Sequence, residues 1–332
     1  MAKARALDRR RRSIRNTRKI TRTMELVATA QFKRAMDRAV AASSYTQRIV
    51  SLVNDLAHAG ASVTHPLLEE HAETKNAALL VLTANRGMCG GYNTNMIRMS
   101  MARWKELQKE FGEGAVLEIS GKRGFSAFRF RGIEPHQTYT QFEDKPAYEE
   151  VDELATRYIE GYYAGKIDRL EIIYTRFVSM SKQVPVHEIL LPMTRLISDE
   201  DVTDFVSKPS SEGGKKTEAD LKKEAVIRAA QSRLSLSGKA NIREGGEIPF
   251  DFYPSAQSVM EEIVPSAFRI KLFKCFLDAG VNEQIARMVA MKAATENADQ
   301  IISMLNMAYN RARQGQITNE ILEVIGGANA LG

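Results

Sequence analysis

A chain of 332 residues suits one large domain or two smaller ones. At 44% hydrophobic and 27% charged it can bury a core and keep a charged surface, its apolar runs fall short of the ~20 residues of a membrane span, and residues 1–22 hold no apolar stretch of the signal-peptide kind. The net charge of +6 is unevenly spread: residues 1–60 carry 14 Lys or Arg against 4 Asp or Glu, so the N-terminal segment alone expects an acidic partner.

The first predicted element is one helix reaching Ala59-Gly60, with no proline and no earlier glycine. Steps of three and four residues read Ile14, Thr17, Thr21, Met24, Ala28, Gln31, Ala35, Arg38, Ala42, Tyr45, Ile49, Leu52 and Leu56. That is the 3.5-residue period of a coiled coil. The small alanines at its centre bring a partner helix close. At ~1.5 Å per residue the segment makes a rod of roughly 80 Å, longer than a compact domain of this size can bury. The arginines of "RRRRSIRNTRK" could instead contact nucleic-acid phosphates, or mark a mitochondrial transit peptide. The seam running through them needs a helical partner and argues against both.

An α/β pattern follows. Residues 77–83 read as a buried strand, 93–111 as a helix and 115–120 as a strand. A short helix holds Phe125 and Phe128, 148–164 is a helix, and 170–174 and 186–191 are strands. Strands alternating with helices argue a mostly parallel sheet.

The stretch "TANRGMCGGYNTN" (83–95) leaves the first strand through glycines, where many folds hold a phosphate. A phosphate loop of the GxxxxGK kind needs a lysine and then Ser or Thr; here Gly90-Gly91 is followed by Tyr92-Asn93, and GxGxxG spacing is also missing. The stretch reads as a tight turn, with Asn93 or Thr94 capping the helix and Arg86 at the surface. Cys89 has no base near it in sequence and reads as a packed thiol. Cys89 and Cys275 form no metal spacing, and the five histidines show neither HxxxH nor HExxH. No catalytic residue, metal site or cofactor site emerges.

Residues 198–246 are polar and open acidic, with a capped helix expected over 221–234 from Thr217 and Asp220. They read as an exposed insertion. The last segment is a second rod starting near Pro265, with Phe268, Leu272, Phe276, Val281, Ile285, Met288, Ile301, Leu305 and Tyr309 along it. Gly280 and Gly315 are its weak points, and Gly326-Gly327 its close.

Five stretches together resemble the γ subunit of F-type ATP synthases. They are "IRNTRKITRTMELVATAQFKRA" (14–35), "RGMCGGYNTN" (86–95), "VPVHEILLP" (184–192), "EQIARMVAMKAATENAD" (283–299) and "YNRARQGQITNEILEVIGGANAL" (309–331). The resemblance implies a long antiparallel coiled coil of N- and C-terminal helices, with a Rossmann-like α/β domain between them. It divides the chain into shaft helices at 1–60 and 250–327, a foot at 75–195 and the insertion at 198–246. It implies no chemistry in this chain and no cofactor. Partners would be the α and β subunits, ε and the membrane c-ring. The place would be the cytoplasmic face of a bacterial inner membrane, or a thylakoid or mitochondrial inner membrane, peripherally.

Carried onto this sequence, Met24 and Arg287 would lie near the catalytic ring. Arg313, Gln314, Thr318 and Glu320 would form its upper grip. Phe252 and Tyr253 would reach the c-ring, Tyr253 standing where the family often has an acid. Arg9 and Arg10, with Arg11, Arg12, Arg15, Arg18 and Lys19, would face an acidic loop of β. Photosynthetic relatives can carry a regulatory cysteine pair in the insertion, and this insertion has no cysteine. Pairing two helices of equal rise from Leu56 sets Met24 near Met288 and Ile14 near Ala298, with the second helix alone beyond about Leu305.

Overall fold

The computed structural model describes residues 2–58, 65–142, 146–193 and 256–331. Helix α1 (Ala2–His58) leads to strand β1 (Ala77–Leu82), helix α2 (Tyr92–Phe111), strand β2 (Ala115–Ser120) and helix α3 (Lys122–Phe130). Strand β3 (Gln137–Tyr139), helix α4 (Tyr148–Tyr163), strands β4 (Arg169–Phe177) and β5 (Gln183–Leu191), and helix α5 (Ala256–Leu331) complete it. The insertion at 198–246, its expected helix, and Phe252 and Tyr253 lie outside the described residues.

The sheet runs β3-β2-β1-β4-β5, with β5 antiparallel to β4 and every other pairing parallel. β1 is buried along its whole length, as a strand covered on both faces must be. Its side chains alternate between two cores. Ala77, Leu79 and Val81 meet Met96, Trp104 and Leu107 of α2 and Phe128 of α3. Ala78, Leu80 and Leu82 meet Tyr158 and Tyr162 of α4 and Phe268, Leu272 and Phe276 of α5. Helix α5 is therefore part of the α/β unit as well as a rod.

That dual role explains Pro265, which stands inside α5 rather than in its first turn. An interior proline costs ~3 kcal/mol or more through its missing N–H and its clash with the preceding turn. Val264, Phe268 and Leu272 are all buried around it. At ~1.5–3 kcal/mol each, their burial exceeds that cost. The helix also runs unbroken through Gly280, Gly315 and Gly326.

The coiled-coil seam is real. Thr21, Ala28 and Ala35 are buried at seven-residue steps, and Ile14, Met24, Gln31, Arg38 and Ala42 are half-buried. Thr17 is exposed, and the side chains at 43–58 lie outside the description. The pairing is shifted about one turn from the expected stagger. Thr295 Oγ1 donates to Thr21 Oγ1 at 2.9 Å, Arg18 pairs with Asp299 at 2.5 Å, and Arg11 donates to Asn306 at 3.3 Å. Arg11 also stacks over the Tyr309 ring, 4.6 Å from its centroid. The pairing thus runs past Leu305 to at least Tyr309, further than expected.

Candidate functional site

The glycine stretch is the first place to look for a ligand. Beyond β1, Met88 and Gly90 take left-handed φ values of 63° and 54°. Asn93 ties the turn together: its Oδ1 accepts from Ala84 N at 3.0 Å and its Nδ2 donates to Cys89 Sγ at 3.0 Å. The N-cap of α2 is Gly91 and carries no side-chain cap, so neither Asn93 nor Thr94 caps it. The N–H groups of Tyr92 and Asn95 bond to the Cys89 and Gly91 carbonyls. Those two donors are used inside the turn and are not offered to a phosphate.

The turn is docked on α5. Ala84, Cys89 and Tyr92 are buried together with Ala286 against them. Tyr92 donates to the Ala279 carbonyl at 3.3 Å. A Cβ on Gly90 would stand 3.8 Å from that of Ala290. Burial pushes the Cys89 thiol up, with Glu283 adding to the effect, so it is a poor nucleophile.

The neighbouring strand meets the same helix. Asn282 Nδ2 donates to the Thr175 carbonyl of β4 at 2.7 Å, and Phe177 packs with Val281, Ile285 and Ala35. In a doubly wound sheet, ligands enter the crevice beyond the strand ends where the strand order reverses. Here that point lies between β1 and β4. The crevice is filled by α5. This joint welds the sheet to the rod, and it is the main thing the glycine turn does.

The foot holds two further buried charge centres that sequence reading missed. Glu118 Oε2 accepts from Tyr139 at 2.7 Å, Arg157 at 2.5 Å and Tyr158 at 2.6 Å. Glu171 is gripped by Arg103 at 2.7 and 2.8 Å and by His187 at 2.6 Å. Both carboxylates lie inside strands and serve packing. Among the described residues no cluster of three or more His, Cys, Asp or Glu could hold a metal.

Of the residues singled out on the rods, Met24 sits half-buried in the seam. Arg287 is 8% exposed and donates to Gln284 at 3.0 Å and Glu283 at 2.5 Å. Arg313, Gln314, Thr318 and Glu320 are exposed. Gln316 donates to Glu320 at 2.8 Å, and Thr318 to the Gln314 carbonyl at 3.0 Å. Arg9 and Arg10 are exposed, and Arg9 lines one groove with Arg313. Arg11 and Arg18 depart from the arginine run by pairing with α5, and Arg12 pairs back to Asp8 at 2.8 Å. Tyr92, Asp278 and Asn282 were missed as joint residues. The one sequence signal was an Asp and an Asn inside an otherwise apolar helix face.

The ATP synthase family model matches residues 3–331. The chain is 48% identical over 331 residues to the ATP synthase gamma chain of Rhodopirellula baltica, covering 100% of this chain and 99% of that one. Against the ATP synthase gamma chain of Rhodococcus jostii it is 32% identical, covering 100% of this chain and 98% of that one. Two solved structures share its fold. One is the rotor of the Euglena gracilis mitochondrial ATP synthase, with a TM-score of 0.55 at 16% identity over 95% of this chain and 99% of that one. The other comes from the OSCP/F1/c-ring structure of the same enzyme, with a TM-score of 0.60 at 18% identity over 99% and 95%.

Proposed function

The chain belongs to the ATP synthase family, among its gamma chains, and from that premise we propose that it is the central rotor shaft of an F-type ATP synthase. In this reading residues 1–60 and 250–327 form the shaft and 75–195 the foot. The shaft turns inside a ring of α and β subunits while the foot rides on the c-ring and against ε. Ion flow turns the c-ring, and each β subunit meets a different side of an uneven shaft. Unequal contact free energy in the open and closed states of β is the only means by which such a partner shifts nucleotide binding.

One observation carries this reading. Thr21 lies beside Thr295 and Arg11 beside Asn306, so by the equal rise of the two helices the described residues of α1 run out beside about residue 315 of α5. Beyond it Ile317, Ile321, Leu322, Val324 and Ile325 stand exposed. A helix end with that much bare apolar surface fits an enclosing sleeve rather than water.

Within the proposal, Arg313, Gln314, Thr318 and Glu320 make a polar grip on the ring, and Arg9 and Arg10 meet an acidic loop of β. Met24 lies lower on the shaft. Arg287 joins it only by leaving Glu283 and Gln284. Phe252 and Tyr253 reach the c-ring. The chain sits at the cytoplasmic face of a bacterial inner membrane by way of the complex; no described helix is long and apolar enough to cross one.

Reconstitution with α and β subunits tests this. Replacing Arg313 and Gln314 together by Ala lowers ATPase turnover of the complex, because charge-assisted bonds of ~1.5–3 kcal/mol each are lost. Nucleotide affinity of isolated β is unchanged. Tight ATP binding by the isolated chain, lost on Gly90→Ala, overturns the rotor reading and returns the glycine turn to an enzyme.

A further inference from the structure

The joint between sheet and long helix buries two acceptors that no described residue satisfies. Asp278 is 2% exposed and Asn282 1%. They stand four residues apart on α5 and so share one face of it. Asn282 Nδ2 donates to the Thr175 carbonyl at 2.7 Å and to the backbone carbonyl of Asp278 at 2.8 Å. Both amide protons are then used, which fixes which way the amide points and leaves Oδ1 a pure acceptor. The second bond also draws the Asn282 head back over the turn that carries Asp278. Among the described residues, Asn282 Oδ1 and Asp278 Oδ2 have no hydrogen-bond partner. Buried acceptors normally find donors. A single proton on Asp278 Oδ2 would turn one of these acceptors into a donor for the other, four residues along the same helix face.

We propose that Asp278 is a proton-holding site of the joint, its neutral carboxyl donating to Asn282 Oδ1 and its ionised form losing that bond. The proton leaves to solvent as the pH rises, and the joint is left with two unsatisfied acceptors and one buried negative charge.

The surroundings compensate a charge on Asp278 only in part. Lys271, Lys274 and Cys275 act on Asp278 from its own helix, and Tyr174 and Arg176 from β4; Glu188 of β5 stands behind Lys271, and Tyr92 of α2 is bonded next door at the Ala279 carbonyl. Arg176 and Lys271 both pair with Glu188, so their charge is shared. The Phe177 N–H reaches the carboxyl and favours its charged form. Burial outweighs these and pushes Asp278 up to about 6, opposed first by Lys274. The native chain therefore binds this proton more tightly than the unfolded chain does. The contribution to stability is full below the ordinary value of 3.8 and is lost as pH rises through about 6.

The test uses the full chain and infrared difference spectra between about pH 5 and pH 8. The expected result is a protonated-carboxyl carbonyl band at the lower pH, disappearing with a midpoint near 6 and missing in Asp278→Asn. That variant keeps a donor for Asn282 Oδ1, so its urea midpoint should lose the decline that wild type shows between pH 4.5 and 7. Asn282→Ala removes the acceptor of the neutral acid and should move the infrared midpoint to lower pH. If Asp278→Asn does not fold, the wild-type titration and the Asn282→Ala shift still decide. A carboxylate that stays ionised down to pH 4.5, or a midpoint indifferent to Asn282→Ala, overturns the proposal.

Discussion

Glu171 lies in the middle of β4 at 0% exposure, with Arg103, Arg169 and His187 around it. Burial alone would raise its carboxyl, but the Arg103 guanidinium and the His187 ring outweigh this and hold it at about 2. A folded-state value below the unfolded 4.5 contributes stability that is present above 4.5 and lost as pH falls toward about 2. This is the opposite sign to Asp278. Glu171→Gln should remove that acid-side loss from a urea-unfolding series. At neutral pH it should cost ~1.5–3 kcal/mol, because Arg103 loses its charge-assisted bonds to the strand and keeps only Glu106 and Glu110. Gly90 shows a different residue-scale constraint. Its φ of 54° belongs to the left-handed region, while a Cβ there meets nothing closer than 3.8 Å. Gly90→Ala should therefore cost ~1–2 kcal/mol in unfolding free energy from backbone strain, with no packing clash to add.

At the scale of elements, the two long helices are held in register by polar contacts as much as by apolar ones. The seam of α1 is narrow and alanine-rich, so a slip by one turn changes little apolar burial. Thr21 and Thr295 hydrogen-bond to one another in the buried seam. Thr21→Val alone should cost only ~0.5–1.5 kcal/mol, since the Thr295 hydroxyl keeps the Met291 carbonyl as an acceptor, and Thr21→Val with Thr295→Val should be close to neutral in stability. The double variant should lose its fixed stagger, read as mixed cross-links between cysteine pairs placed one turn apart. The helical period and the small seam residues were legible because they repeat. The stagger was not, because it depends on a few single pairs, Thr21 with Thr295, Arg18 with Asp299 and Arg11 with Asn306, and on how the sheet hands the chain to α5. Pro265 was misread as a helix start because its local rule is strong, and only the burial of Val264, Phe268 and Leu272 overrides it. β3 went unseen because it is three residues long with two of them exposed. The joint was legible only as an anomaly, an Asp and an Asn among apolar neighbours, since its partners Thr175 and Tyr92 are more than a hundred residues away in sequence.

Across the whole molecule, one helix belongs to two bodies. The first part of α5 closes the sheet core beside α4, and the part after Gly280 runs along α1. A chain ending at residue 255 should thus keep β1–β5 in sequence yet lack a wall of its core. It should bind a hydrophobic dye more strongly than the full chain does and lose the near-ultraviolet dichroism that the full chain keeps. The filled crevice carries a further consequence for how the chain is made. Strands β1 and β4 leave the ribosome long before Met260 to Ala279, which cover them. At ~5–20 residues per second, the roughly 80 residues between the end of β4 and Met260 hold that apolar face open for on the order of 10 s. A nascent chain in that state is sticky and has no native escape, so its yield in a cell depends on holding chaperones rather than on its final stability. The closure that denies the crevice to a nucleotide also makes the sheet wait for the end of its own chain.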